Sequence, residues 1–108
     1  MNIILYHKHY DPEHLNYVKN IMIKRGHPII RAIWSEMYGL WLAVEGCHRL
    51  RACKALGLTP IIKDISKQKT VTIQYLGIQT KFNVTDLLIY LQDSANSSEF
   101  LFFENEKN

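Results

Sequence analysis

The spacing of apolar residues predicts a chain of short strands interrupted by three helices. Apolar runs bounded by turn-forming residues predict strands at residues 3–6, 29–34, 40–44 and 60–65. The connection between the second and third of these runs favours an antiparallel hairpin. Alternation of apolar and polar residues predicts a further strand at 71–75, and a turn at Leu76 and Gly77 would return the chain along residues 78–82. Apolar residues at helical spacing predict helices between Asp11 and Gly26, from Cys47 to Leu56, and after Asn83.

Turn and capping residues indicate where the first two helices begin and end. Asp11 can accept hydrogen bonds from the free amides of the first turn, and Pro12 suits the first helical position. Gly26 is a natural C-terminal stop for the first helix. Gly57 has the same place after the second helix, and Pro60 prevents that helix from restarting.

Composition indicates a single folded domain. The 108 residues are 47% hydrophobic and 21% charged, which excludes a disordered tail and leaves little room for two cores. Cys47 and Cys53 form no C-x-x-C unit, so neither a disulfide scaffold nor a structural zinc site is expected. No apolar run approaches the roughly 20 residues of a membrane span, and the first residues lack the pattern of a signal peptide. We therefore expect a cytoplasmic protein that makes no membrane contact.

The positive charge is concentrated in the first part of the chain. Residues 1–64 hold nine Lys and Arg against five Asp and Glu, whereas residues 65–108 hold four against five. All five histidines also lie in the first part. The overall charge of +3 is too small for a long nucleic-acid track, so it suits a small anionic ligand better.

The junction after the third strand carries the most informative chemistry. A strand ends before Glu45, Gly46 turns the chain, and a helix begins with Cys47, His48 and Arg49. Free amides at a helix N-terminus bind anions, and the planar fork of Arg49 matches phosphate or carboxylate. His48 can donate to an anion or exchange protons, and the helix start stabilises a Cys47 thiolate. A glycine at position 46 lets an anion approach the backbone closely.

The spacing of these residues supports a simpler interpretation about as well as it supports an anion site, since helix N-termini with one arginine are common. In that interpretation Gly46 is a turn residue, Arg49 is a solvated helix charge and Cys47 is a small buried side chain.

The segment from residue 28 to 64 resembles the ParB/sulfiredoxin superfamily. The resemblance is carried by VEGCHRLRACKALGLTPIIKDI, by HPIIRAIW and WLAV before it, and by the order of elements from residue 3 to 65. It implies an α/β (α+β) fold with a small mixed sheet and packed helices over residues 1–65. Residues 66–108 would add a hairpin, a helix and a tail that complete the same single domain. The GCHR sequence is closest to the sulfiredoxin signature.

The resemblance implies a nucleotide or another phosphate-bearing ligand at the GCHR helix start. ATP or CTP, with Mg²⁺, would be held by Gly46, Cys47, His48 and Arg49. Catalytic roles would fall to Cys47, His48 and Glu45, in phosphoryl transfer or hydrolysis. One alternative is a sulfiredoxin-like, ATP-dependent reductase of cysteine sulfinic acid with Cys47 as nucleophile. Another is a nuclease-like, DNA-binding or protein-partner-binding module with a vestigial pocket.

Two positions differ from the sulfiredoxin pattern and leave further roles open. Glu45 stands where sulfiredoxins have a second glycine, and the first helix begins with acidic residues rather than Lys, Ser and Thr. Asp11 and Glu13 are interpreted as cap and helix-dipole residues, with a metal or acid/base role beside the phosphate pocket as the alternative. Three histidines are interpreted as exposed surface residues, with a metal contact as the alternative: His7, His9 and His14.

The C-terminal part of the chain is informative about binding partners rather than about catalytic residues. No pair of helices follows the nucleotide-like segment to form a helix-turn-helix, so a complete CTP-dependent DNA clamp is not expected. The aromatic residues at 100–103 either dock onto the core or form a homodimer contact, and docking is slightly favoured.

Overall fold

The computed structural model describes residues 1–5, 9–75, 77–95 and 99–103. These residues form seven strands and three helices. The elements in chain order are β1 (Asn2–Ile4), α1 (Pro12–Arg25), β2 (Ile29–Ser35), β3 (Leu40–Ala43), α2 (Cys47–Leu56), β4 (Ile61–Asp64), β5 (Thr70–Tyr75), β6 (Ile78–Asn83), α3 (Val84–Asp93) and β7 (Phe100–Phe102). In the described residues, no helix combines the length and the apolar character that crossing a membrane requires.

Five of the strands form one mixed sheet in the order β4-β2-β3-β1-β7. β1 and β3 are parallel, as are β2 and β4, while the β2–β3 and β1–β7 pairs are antiparallel. The predicted hairpin between the second and third strands is therefore confirmed. β5 and β6 form a separate two-stranded antiparallel sheet. The predicted α+β class, with a mixed sheet, packed helices and a hairpin, is confirmed.

The sheet has an apolar core on each of its faces. Successive strand residues point to opposite faces, so Ile3 belongs to one core and Ile4 to the other. The first core packs against α1 and α2, and its members include Met22, Leu50 and Cys53. The second core packs against α3 and the β5–β6 hairpin and contains Val71, Val84, Leu87 and Leu91. The second core thus combines strands from residues 1–65 with elements from residues 66–108.

The helices begin and end at the residues that the capping signals predict. The Asp11 carboxylate accepts from the Glu13 N–H at 3.0 Å, and Pro12 is the first residue of α1. The Gly26 N–H donates to the Met22 carbonyl at the other end of α1. Asn83 caps α3 in the same way as Asp11 caps α1, by accepting from a backbone N–H of the first turn.

The aromatic residues near the end of the described chain dock onto the sheet. Phe100–Phe102 form strand β7 beside β1, and Phe103 is only 3% exposed. The docking interpretation is confirmed, although the sequence pattern did not predict a strand there. β3 is one residue shorter than predicted because the chain bends at Val44, whose N–H still donates to the Arg31 carbonyl at 3.2 Å. Tyr6, predicted to end the first strand, lies outside the described residues.

Candidate functional site

The starts of α1 and α2 meet at one edge of the sheet. β1 and β3 are parallel neighbours, so both strands end at this edge and the helices that follow them begin nearby. The Asp11 N–H donates to His48 Nε2 at 3.1 Å. The rings of His14 and His48 pack edge to face, with their centroids 4.6 Å apart. His48 is therefore the residue that joins the two helix starts.

Gly46 adopts a left-handed conformation and turns the chain into α2. Its φ and ψ angles are 82° and 29°, in a region that favours glycine. A Cβ at this position would lie 2.7 Å from Ile30 Cδ1 and 3.2 Å from Arg49 Nη2. The sequence pattern led us to expect that this glycine admits an anion. In the structure the space beside Gly46 holds Ile30 and the Arg49 guanidinium.

The first turn of α2 has the features of an anion-binding helix start. Its cap residue is a glycine and makes no side-chain hydrogen bond to the first amides. Because the first N–H groups of any α-helix lack intrahelical acceptors, they carry partial positive charge. Anions bind at such positions when the turn is accessible.

Arg49 is held in place at this turn while remaining partly open to solvent. Its Nη1 donates to the Ile29 carbonyl at 2.9 Å, and its side chain is 39% exposed. Its Nη2 lies 3.8 Å from Glu45 Oε1. A guanidinium has five N–H donors, so these contacts leave donors for an incoming anion. The predicted ligand-binding residues Gly46 and Arg49 are thus in direct proximity.

Glu45 is engaged by a second arginine, which the sequence pattern did not single out. Arg31 Nε donates to Oε1 at 2.7 Å and Arg31 Nη2 donates to Oε2 at 2.8 Å. This bidentate hydrogen bonding lowers the pKa of Glu45 and raises the pKa of Arg31. With both oxygens engaged, Glu45 is best placed to position Arg31 and Arg49. A catalytic role for Glu45 stays a prediction.

Cys47 is the first residue of α2, but its thiol belongs to the core. The residue is 6% exposed and packs in the cluster beneath α1 and α2. Cys53 is fully buried, its Sγ lies 3.6 Å from Met22 Sδ, and burial raises the pKa of its thiol to about 11. The burial of Cys47 does not favour attack on a large substrate, so its role as nucleophile stays a prediction.

The acidic and histidine candidates occupy the start of α1. Asp11 caps the helix through its carboxylate, and Glu13 is exposed in the first turn. His9 is exposed, and His7 lies outside the described residues. Within the part of the chain that the structure describes, no group of three or more His, Cys, Asp or Glu could hold a metal ion.

The Arg31–Glu45 pair follows from the register of the β2–β3 hairpin. Ala32 pairs with Ala43, so Arg31 lies beside the bend that leads to Glu45. The opposite charges of these residues were the available signal, but their contact depends on a register that the apolar pattern leaves open.

Comparison of the chain with protein-family models, with curated protein sequences and with solved structures gives no match in any of the three. The likeness to the ParB/sulfiredoxin superfamily therefore stays an expectation based on the motif and on the order of elements. The chemical argument for the site depends on the geometry of the described residues.

Proposed function

We propose that the chain binds a phosphate-bearing small molecule at the start of α2. The observation that carries the proposal is the position of Arg49, whose guanidinium is fixed to the Ile29 carbonyl beside helix amides that the cap residue, Gly46, does not cap with a side chain. Helix amides and an anchored guanidinium are complementary to a phosphate group, because both supply donors that need little reorganisation.

The side-chain charges in direct contact at the first turn of α2 favour an anion. Arg31 and Arg49 contribute two positive charges against the carboxylate of Glu45. The carboxylates of Asp11 and Glu13 stand at the adjacent start of α1, so the favourable charge is confined to the surroundings of Arg49. His48 accepts the Asp11 N–H at Nε2, so a neutral His48 carries its proton on Nδ1. In the proposal His48 orients the two helix starts through its contact with the Asp11 N–H.

Nucleoside triphosphates are the first ligands to test, because the sequence resemblance implies ATP or CTP with Mg²⁺. Arg49, which is 39% exposed, can donate to a polyphosphate as well as to a single phosphate. The Asp11 carboxylate is already used as a helix cap, so any Mg²⁺ would reach the site with the nucleotide rather than on a preformed protein cluster.

Calorimetric titration of the protein with ATP, CTP, their diphosphates and inorganic phosphate tests the proposal, with and without Mg²⁺. Arg49→Ala should weaken binding by about tenfold or more, because a charge-assisted hydrogen bond is lost. Lys63→Ala, an exposed cation on β4, is the matched control and should leave binding unchanged. Absence of binding by every ligand, or equal binding by the Arg49 variant, would refute the proposal.

Activity measurements beside the titration separate the alternative functions. Cys47→Ser should preserve ligand binding in the titration, whereas it should abolish reduction of a cysteine sulfinic acid if the chain is a reductase that needs the thiol. Phosphoryl transfer or hydrolysis is tested by release of phosphate from the bound triphosphate. Salt-dependent DNA binding without any nucleotide effect would instead support the nucleic-acid-binding module.

A further inference from the structure

A groove of about 400 Å³ runs between the C-terminal half of α1 and the start of β2. Its floor is apolar, and most of it comes from one face of α1 and from the residues that lead into β2. The residues of this floor are Val18, Ile21, Met22, Pro28 and Ile29. Arg25, Gly26, His27 and Arg49 complete the lining.

The charged groups at the groove are cationic. Arg25 and Arg49 both line it, and no Asp or Glu of the described residues does so. Arg25 is exposed, and in the described part of the chain neither a hydrogen bond nor an ion pair engages its guanidinium. Glu45 is the carboxylate nearest to Arg49 in the described residues, and it already accepts two hydrogen bonds from Arg31. The groove therefore offers an anion two guanidinium groups.

We infer that this groove holds the organic part of the ligand, and that the ligand is a monophosphate ester of an aromatic or otherwise apolar group. This inference rests on the proposed function, because Arg49 belongs both to the helix start and to the groove. The phosphate lies against Arg49 and Arg25. The organic group covers the apolar floor formed by Ile21, Met22 and Ile29.

The composition of the floor sets the ligand class. A volume of about 400 Å³ is in the range of pockets that enclose small organic molecules. Hydroxyl groups placed against the side chains of Val18, Ile21 and Met22 would lose water without gaining partners, which is unfavourable. A ring or branched alkyl group gains from the same contact. Nucleosides, with their sugar hydroxyls, are therefore weaker occupants than an aryl phosphate.

Residue-resolved NMR titration of the ¹⁵N-labelled protein with phenyl phosphate and with inorganic phosphate tests this inference. Phenyl phosphate should bind about tenfold tighter, because the ring removes apolar surface from water. It should shift amide signals of residues 18–29 that inorganic phosphate leaves in place. AMP should bind more weakly than phenyl phosphate.

Substitutions in the groove distinguish the contribution of the ring to binding from the contribution of the phosphate. Ile21→Ser should lower the affinity for phenyl phosphate close to that for inorganic phosphate, and it should leave the affinity for inorganic phosphate unchanged. Ile21→Leu keeps an apolar side chain and should therefore retain the tighter binding of phenyl phosphate. Arg25→Ala should weaken both ligands severalfold. Lys24→Ala, in the same last turn of α1 but outside the groove lining, is the control and should change neither. Unchanged amide spectra away from the substitution verify folding.

The outcomes also distinguish this inference from the proposed function. Equal affinities for phenyl phosphate and inorganic phosphate, both weakened by Arg49→Ala, would overturn the groove assignment and leave phosphate binding at α2 intact. The groove assignment also fails if phenyl phosphate shifts only the amides of residues 45–50. If neither phenyl phosphate nor inorganic phosphate binds, the groove assignment fails, whereas the proposed function fails only if ATP, CTP and their diphosphates do not bind either.

Discussion

Gly46 and Arg49 depend on each other at the start of α2. The guanidinium lies where a side chain at position 46 would project, and Ile30 fills the remaining space. Arg49 can reach the Ile29 carbonyl in this position because residue 46 has no Cβ. The glycine therefore shapes the proposed anion site indirectly, because it allows the Arg49 side chain to pack against it.

Gly46→Ala should lower the free energy of unfolding by roughly 2–5 kcal/mol. A left-handed alanine costs about 1–2 kcal/mol, and forcing Ile30 and Arg49 aside adds about 1–3 kcal/mol. Gly57→Ala is the matched control, because Gly57 has similar backbone angles with nothing within 4 Å of its would-be Cβ. Urea denaturation of both variants measures the difference. Equal losses would show that Ile30 and Arg49 do not restrict position 46.

At the scale of elements, α1 and α2 are linked at both of their ends. The Asp11 N–H meets His48 where the helices begin, and the His27 ring meets the Thr59 carbonyl at 2.6 Å just beyond their C-terminal ends. The two helices therefore lie side by side and run in the same direction. His48 contacts the start of α1 twice, through the Asp11 N–H and the ring of His14.

Asp11→Ala should lower the free energy of unfolding by about 1 kcal/mol, because α1 loses its N-cap. Asp11→Asn should retain nearly all of the stability, since the amide oxygen of asparagine accepts the same Glu13 N–H. Thermal and urea unfolding measure both effects. If Asp11 also binds a metal or transfers a proton, Asp11→Asn should lose Mg²⁺-dependent activity despite its stability. Retention of that activity would leave Asp11 as a cap residue.

Local sequence signals predicted the helices and most strands, and they failed where a partner distant in sequence decides the structure. Helix ends are determined by contacts within a few residues, as at Asp11, Gly26 and Asn83, so the local sequence predicts them. The candidate anion site at residues 46–49 was also proposed from signals within a few residues of each other. The Arg31–Glu45 pair and the groove beside Arg25 depend on strand register and helix packing, which the periodicity of apolar residues does not specify.

At the scale of the whole molecule, β7 completes the sheet and leads to Phe103, which belongs to the core. Phe103 is buried, and its N–H donates to the Met1 carbonyl at 2.8 Å. Phe100 and Phe102 on β7 are about half exposed. The three side chains thus have different environments despite their adjacent positions.

Phe103→Ala should lower the free energy of unfolding by roughly 3 kcal/mol or more, because a large buried side chain is replaced by a cavity. Phe100→Ala, at an exposed position of the same segment, should cost well under about 1 kcal/mol. Chemical denaturation provides both values. Analytical ultracentrifugation of the Phe100 variant tests the homodimer alternative. A dimer of the unaltered protein that dissociates on this substitution would assign the exposed aromatic face to an interface.

The position of β1 between β3 and β7 has a consequence for the newly made chain. The ribosome releases β1 first, yet its neighbour β7 follows only after almost 100 further residues. Until then one edge of β1 has unpaired backbone groups that another nascent chain can match. Closing so long a loop is also slow. The last step of sheet assembly therefore waits for the end of this segment, and chains stalled before it are the ones exposed to aggregation and chaperone capture.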